Sequence, residues 1–388
     1  MDKSKWTYKK LGDICQSDLG KTLNHSTDTG ELYPYLCAIN ILWDKVDLST
    51  LKETRFESSE IERYTVNKGD LLICEGGDAG RAAIWSNDEP ILYQNALHRV
   101  RFNKLANARF YLYFLRYLKD SGVIDSRYSK GVTIKHLVKS SLLSIPVPVP
   151  TLDTQQSIVS ELDKINELIS LKKAQLSDLD SLAQSIFYDM FGDPIENEKE
   201  WEVKKYGDCF SIGAGGTPSK SKKEYWENGN IPWVGSNMCQ NCVITETDGK
   251  FITEEGLTHS SAKLLEVDTV LVALVGATIG KVALLKTKTS TNQNVAFIKV
   301  NESKDFVSEY VYYHLMNQYD EFMMIGNGDF KMANQAFIKS LIIMIPPLSL
   351  QQDFAKRIEL IEQQKAQVSS AIKDLETLLA SRMQYWFD

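Results

Sequence analysis

The sequence predicts an α+β protein. Two tandem mixed α/β domains are separated by two long helices that pair as an antiparallel coiled coil, on an internal repeat with pseudo-twofold symmetry. Three observations carry this. First, the chain is written twice: Trp6-Thr7-Tyr8-Lys9-Lys10-Leu11-Gly12-Asp13 returns 195 positions later as Trp201-Glu202-Val203-Lys204-Lys205-Tyr206-Gly207-Asp208. Pro150-Thr151-Leu152-Asp153-Thr154-Gln155-Gln156 returns 196 positions later as Pro346-Pro347-Leu348-Ser349-Leu350-Gln351-Gln352. Second, each proline hinge opens a stretch whose apolar residues recur every 3.5 positions, the coiled-coil period. Third, each half repeats one order of strand-like runs, a glycine-centred hairpin and an aromatic helix. The boundaries that follow are 1–150 for the first domain, 151–195 for the first helix and a linker, 196–345 for the second domain and 346–388 for the second helix.

The first helical seam runs through Ile158, Leu162, Ile165, Ile169, Lys172, Leu176, Leu179, Ala183, Ile186 and Met190. The second runs through Phe354, Ile358, Ile361, Lys365, Val368, Ile372, Leu375, Leu379, Arg382 and Trp386, with Lys365 and Arg382 as charged intruders. Asp153 with Gln156, and Ser349 with Gln352, have the spacing of a helix cap. Gly192-Asp193-Pro194 stops the first helix. Ile158 to Met190 spans roughly 48 Å at ~1.5 Å per residue, against a DNA turn of ~34 Å. The helices read most simply as a spacer without chemistry, and spacing can itself be a function.

In the globular halves, Asp70–Ile84 and Val270–Leu284 are the hairpins, followed by Gln94-Asn95 and Gln293-Asn294. The aromatic helices follow, Phe110–Leu115 and Tyr310–Leu315, and their rings are expected in the core. The sheets are expected to be twisted and mostly antiparallel. Gly276 to Lys281 imitates a phosphate loop, but it has three residues between its glycines and Val282 after the lysine. The phosphate loop needs four and a Ser or Thr, so this is a tight turn.

Hydrophobic residues make up 43% and charged residues 24% of the 388 residues, an ordinary globular composition. No apolar run approaches the ~18 residues of a membrane span and Met1–Trp6 lacks a signal-peptide core, so a cytoplasmic location is expected. The net charge of -7 argues against DNA binding by the whole surface. It is concentrated in residues 151–200, with 4 basic and 11 acidic side chains, whereas residues 1–150 have 21 basic and 18 acidic. A nucleic-acid surface must therefore be a local focus. Six cysteines form no disulfide framework; Cys239-Gln240-Asn241-Cys242 is a lone C-x-x-C without partner ligands at finger spacing, so no metal is expected.

A twofold body suits a two-part target, and duplex DNA is the obvious one. Candidate readers are polar and basic loop residues. In the first half these are Lys21, Arg81, Gln94, Asn95, His98, Arg99 and Arg101, with the richest cluster at Arg127, Lys130, Thr133, Lys135 and His136. In the second half they are Thr217, Ser219, Lys220, Lys222, Lys223, Lys281, Gln293 and Asn294, with Lys331, Asn334 and Gln335 in the loop before the hinge. Each alone is as readily a solvated surface residue; as groups they are candidates. Residues 1–150 hold eight arginines and residues 196–345 none. The halves are therefore expected to prefer different bases, since arginine forks favour guanine.

Gly216-Thr217-Pro218-Ser219, Tyr225-Trp226 with Ile231-Pro232-Trp233, the Gly276–Leu284 hairpin, Gln293-Asn294, and Pro346-Pro347-Leu348 leading to Gln351-Gln352 together resemble the specificity (S) subunits of type I restriction–modification enzymes. The first half carries weaker versions, with Thr151 where the second hinge has Pro347. The resemblance covers nearly the whole chain. It implies that each globular half is a target recognition domain reading one part of a bipartite, asymmetric double-stranded DNA site, and that the helices are the ruler for the unread spacer. It implies further that the helices dock two methyltransferase subunits, joined by restriction subunits. S-adenosylmethionine, ATP and Mg would then be used by the partners, with no cofactor bound by this chain.

The residues agree with a non-catalytic role. There is no Asn-Pro-Pro-aromatic or Asp-Pro-Pro-Tyr run to hold a flipped base and no complete phosphate loop. Three other readings stay open: the specificity subunit of a system whose methylation and cleavage share one chain, a self-contained DNA enzyme such as a nuclease, and a coiled-coil scaffold whose two heads bind proteins rather than DNA.

Overall fold

The computed structural model describes residues 3–24, 28–131, 135–325 and 332–388. It divides into two compact units, Met1–Lys173 with Ser370–Asp388, and Ala174–Ser369. Both long helices form, Leu152–Phe191 and Leu348–Phe387, and each contributes one half to each unit.

In the first unit, strand Thr7–Lys10 closes antiparallel on Pro146–Val149, so the two ends of the domain meet just before the hinge. The main sheet orders Cys15–Leu19, Leu97–Phe102, Leu71–Cys74 and Ala82–Ile84, all antiparallel. A second sheet joins Lys52–Phe56, Glu31–Leu36, Ile91–Tyr93 and Thr65–Val66, with one parallel pair. Helix Ala108–Asp120 buries Phe110 to Leu115 without a break. Asn107 caps it by accepting from Arg109 N.

The second unit repeats the plan. Val203–Lys205 closes on Ile342–Met344. The main sheet orders Ser211–Ala214, Val295–Lys299, Val270–Ala273, Val282–Leu285 and Cys242–Ile244, the last strand parallel to its neighbour. The smaller sheet is Phe251–Ile252, Ile231–Val234 and Ser290–Thr291. The turn that imitates a phosphate loop joins two antiparallel strands. There Gly280 takes φ +75°, and a Cβ on it would lie 2.7 Å from Phe322 Cβ. Helix Ser308–Met316 buries Tyr310 to Leu315, its fully buried His314 set among rings. His314 Nε2 accepts from Met344 N at 3.3 Å, so the proton sits on Nδ1, 3.0 Å from the Tyr206 hydroxyl. Burial holds this imidazole's pKa down at about 3.

The helices pair antiparallel inside each unit. In the first, Glu161 meets Arg382 and Lys173 meets Glu376 at 2.9 Å. In the second, Asp180 meets Lys365 at 2.8 Å, and Phe187 and Phe191 both pack on Phe354. Ile158, Leu162, Ile165, Ile169, Leu179, Phe354, Ile358, Ile361, Val368, Ile372 and Leu379 are buried, whereas Leu176, Ile186 and Leu375 are half-buried. The charged intruders have partners: Lys365 also reaches Glu362 at 2.8 Å, and the Arg382 guanidinium lies over Tyr385 and Trp386.

Two expectations are corrected. At the helix ends the seam drifts by one position, so that Phe187 and Phe191 are buried beside half-buried Ile186 and Met190, and Met383 and Phe387 join Trp386. A 3.6-residue helix slips ~20° per heptad against a strict 3.5 period, and here the partner is a domain: Phe191 packs on Tyr310, Phe387 on Phe110 and Phe114. The caps also differ. Thr151 Oγ1 accepts from Thr154 N at 3.3 Å, so Thr151 caps the first helix and Asp153 falls in its first turn. The second helix starts directly after Pro347, with Ser349 inside it.

The glutamines of the repeated motif serve the hinge. Fully buried Gln155 donates to Leu105 O at 3.0 Å and Pro150 O at 2.9 Å and accepts from Asn107 N at 2.8 Å. Gln351 donates to Asp305 O at 3.1 Å and Pro346 O at 3.0 Å and accepts from Val307 N at 3.0 Å. One side chain in each unit thus satisfies three backbone groups, one of them in a fully buried bond and two in partly buried ones.

Candidate nucleic-acid interface

In the first unit, loop residues from distant parts of the chain meet at the strand ends. Asn95 N donates to Lys21 O at 3.0 Å, and Asn95 Nδ2 to Thr22 Oγ1 at 3.3 Å. A Cβ on Gly20 would lie 2.4 Å from the Gln94 backbone, which is why a glycine stands there. The hairpin tip is backed by the loop before the hinge: Gly76 bridges His136, and Lys130 and His136 exchange backbone hydrogen bonds at 2.9 and 2.8 Å. Arg127, Lys130 and His136 are exposed there, and Lys135 and Gln94 are half-buried. Thr133 lies outside the described residues.

Other candidates turn inward. Lys21 is buried, its ammonium 2.7 Å from Glu60 and 2.9 Å from Arg55 O. Burial alone would lower its pKa, but the hydrogen bond and charge of Glu60 raise it. His98 is fully buried, Nε2 lying 2.7 Å from Leu137 O, and burial lowers its pKa. Arg99 is buried, donating to Thr65 O at 2.5 Å and Arg63 O at 2.9 Å and pairing with Asp18 at 3.3 Å. Arg101 makes a two-pronged pair with Asp70 at 2.8 and 3.0 Å. Strand Leu97–Phe102 is central in its sheet, so its cations find partners inside the domain. Half-buried Arg81 reaches Ala38 O at 3.0 Å.

The second unit gathers a polar surface from five segments. Thr217 Oγ1 hydrogen-bonds Gln293 Oε1, with Gln293 exposed. Asn294 N donates to Asn292 Oδ1 at 3.0 Å. Lys281 donates to Gln240 Oε1 at 2.8 Å. Met332 bridges Val275, and Ala333 N donates to Leu274 O at 2.9 Å, so the loop before the hinge backs the hairpin as in the first unit. Asn334 is exposed but caps a helix by accepting from Phe337 N at 2.9 Å; Gln335 is half-buried behind it. Ser219, Lys220, Lys222 and Lys223 form an exposed lip, Lys222 reaching Tyr225 OH at 2.8 Å. Lys331 lies outside the described residues.

Gln240 and Asn237 belong to this surface and were not among the sequence candidates. A Cβ on Gly235 would lie 2.7 Å from Asn237 Oδ1 and 3.3 Å from Asn292 Nδ2. The run Ser236-Asn237-Met238-Cys239-Gln240-Asn241 carried the signal, which the C-x-x-C reading masked. Cys239 is fully buried and burial drives its thiol pKa far up; among the described residues no group of His, Cys, Asp or Glu is arranged to hold a metal.

The surface is thus duplicated: amides and hydroxyls at sheet ends, a glycine hairpin, and a loop leading into a long helix. A family model, the type I restriction modification DNA specificity domain, matches the chain twice, at residues 3–180 and 198–376. The chain belongs to this family. It is 25% identical over 279 residues to the EcoR124I/EcoR124II specificity subunit of Escherichia coli, covering 68% of this chain and 67% of that one. Its fold matches a structure solved in a study of complex assembly and conformational transition of the type I R-M system, with TM-score 0.61, 16% identity and coverage of 98% and 97%. It also matches the S subunit of M. genitalium, with TM-score 0.55, 15% identity and coverage of 99% and 96%. The chain is thus a type I specificity subunit with two tandem DNA specificity domains. Among its described residues no helix is long and apolar enough to cross a membrane.

Proposed function

We propose that this specificity subunit supplies the address of a cytoplasmic type I restriction–modification complex and does no chemistry itself. Each globular domain reads one half of a bipartite asymmetric double-stranded DNA site through its loop surface. The paired helices set the unread spacer and dock two methyltransferase subunits, to which restriction subunits attach. The partners use S-adenosylmethionine to methylate adenine, and ATP and Mg for translocation and cutting. The observation that carries this reading is the double family match on a duplicated fold. The loop chemistry supports it: amides, hydroxyls and lysines hydrogen-bond base edges and phosphates. The differing loop residues of the two domains support unlike half-sites.

The test is methylation mapping in cells that express this chain with its methyltransferase partner, against a control lacking this chain alone. A two-part adenine motif present only with the chain is expected. An active partner whose methylation never depends on this chain would overturn the reading.

A further inference from the structure

The two units place equivalent residues at the junction between domain and long helix. Gln155 accepts from Asn107 N as Gln351 accepts from Val307 N, so Asn107 answers to Val307 and, counting on, Arg109 to Glu309 and Tyr113 to Tyr313. The rings agree: Phe110 packs on Phe387 as Tyr310 packs on Phe191. From the same glutamines, Asp163 answers to Glu359 and Asn166 to Glu362.

In the first unit this junction is closed by an ionic network. Arg109 grips Asp44 with two bonds of 2.8 Å and Asp163 with one of 2.5 Å. Tyr113 OH donates to Asp163 at 2.5 Å, and Asn166 Nδ2 to Tyr113 OH at 2.8 Å. In the second unit the positions of Arg109, Asp163 and Asn166 all hold glutamates, and a groove of about 610 Å³ lies among them. Val243, Leu284 and Tyr312 line it with Glu309, Glu359 and Glu362. Lys286 is bound to Asp268 and Glu309 at 2.6 and 2.7 Å, and Glu362 shares Lys365 with Asp180. Glu359 is exposed on the rim, as is Lys356. Lys286 and Lys365 are each shared between two carboxylates, so with Lys356 the three lysines stand against five carboxylates, Asp180, Asp268, Glu309, Glu359 and Glu362, and the groove keeps an excess of negative charge that a further cation would relieve.

We propose that this groove receives an arginine or lysine side chain of a bound protein, which does from outside what Arg109 does from within. The aliphatic stem lies on Val243, Leu284 and Tyr312, and the charged head meets Glu359 and Glu362. A DNA phosphate has the wrong sign, and the glutamates are not arranged as a metal site. This rests on the docking reading above, under which the partner is a methyltransferase subunit. It makes the two docking events unequal: in one unit the domain's own Arg109 meets the helix carboxylate Asp163, and in the other a cation of the partner meets the equivalent Glu359.

The test is titration of the purified methyltransferase subunit onto the full chain and onto its Glu359→Lys and Ala366→Trp variants; both changes are on exposed groove residues. One of two binding steps is expected to weaken at least about tenfold in each variant, with the other step unchanged. Two unchanged steps in both variants overturn the groove proposal alone. An unaltered chain that binds no methyltransferase overturns the docking reading, and this proposal with it. A photo-crosslinking residue at position 366 is expected to capture a basic segment of the methyltransferase. Capture of DNA, a restriction subunit or a second copy of this chain overturns the assignment.

Discussion

The two units solve one mechanical problem, holding a loop-bearing domain on a long helix, with a shared part and a part that differs. Gln155 and Gln351 make equivalent sets of three bonds, and Phe387 and Phe191 plug into equivalent helices, Ala108–Asp120 and Ser308–Met316. Around them the polar residues differ. The first unit has the Arg109 clamp and an apolar pair, Leu11 and Phe114, in its core. The second has a glutamate-rimmed groove and, at the positions of Leu11 and Phe114, the polar pair Tyr206 and His314. What is common therefore holds the domain on its helix, and what differs is the polar and titratable chemistry placed around that joint.

The hinge glutamines should give the largest effect. Gln155→Leu or Gln351→Leu leaves one backbone N–H and two carbonyls without their side-chain partner, one of the carbonyls buried and the other two groups partly so, costing about 3 kcal/mol in the affected unit. Chemical unfolding followed by hydrogen exchange, resolved by unit, would read this. Equal losses are expected because the bonds are alike. A loss in one unit only would break the equivalence of the two hinges.

The seam and the duplication were legible in the sequence because both are periodic, and periodicity survives without knowledge of contacts. The drift to Phe187, Phe191, Met383 and Phe387 was not, since it depends on which short helix packs on each end. The candidate readers were partly legible. Gln293, Asn294 and Lys130 sit on loops as their composition suggests. Lys21, His98 and Arg99 looked alike as letters, but their partners Glu60, Leu137 and Asp18 are 39 to 81 positions away, beyond the reach of local pattern. The arginine asymmetry has a second cause for the same reason: Arg99, Arg101 and Arg109 are used inside the first unit.

Acid should separate the cores next. The folded pKa of His314 is about 3 against ~6.5 unfolded, so between these values the unfolded chain binds a proton that the folded one refuses. Stability of the second unit is therefore full above pH ~6.5 and declines as pH falls towards 3; at pH 5 the loss from this group is about 2 kcal/mol. His98 is also buried with a lowered pKa, so the first unit has an acid dependence of its own, and the informative contrast lies within the second. Installing the first unit's pair, Tyr206→Leu with His314→Phe, should flatten the second unit's slope between pH 6.5 and 5. An unchanged slope would assign the acid sensitivity to other groups.

The Arg109 clamp should be the smallest of the three. Its side chain is 33% exposed, and those of Asp44 and Asp163 are 31% and 36% exposed, so water returns to the carboxylates when the arginine goes. The cost of Arg109→Met should thus lie between that of a surface pair and a buried one, about 1–2 kcal/mol. Hydrogen exchange should rise in Ala108–Asp120 and around Asp44 while the second unit stays unchanged. Arg109→Lys sharpens the comparison. It keeps the charge, but a lysine is a point donor that cannot hold both Asp44 oxygens and Asp163 in one plane. If lysine restores the full stability, charge alone closes the junction. If it restores less than half, the planar fork does, and arginine becomes the better occupant for the groove rimmed by Glu359 and Glu362.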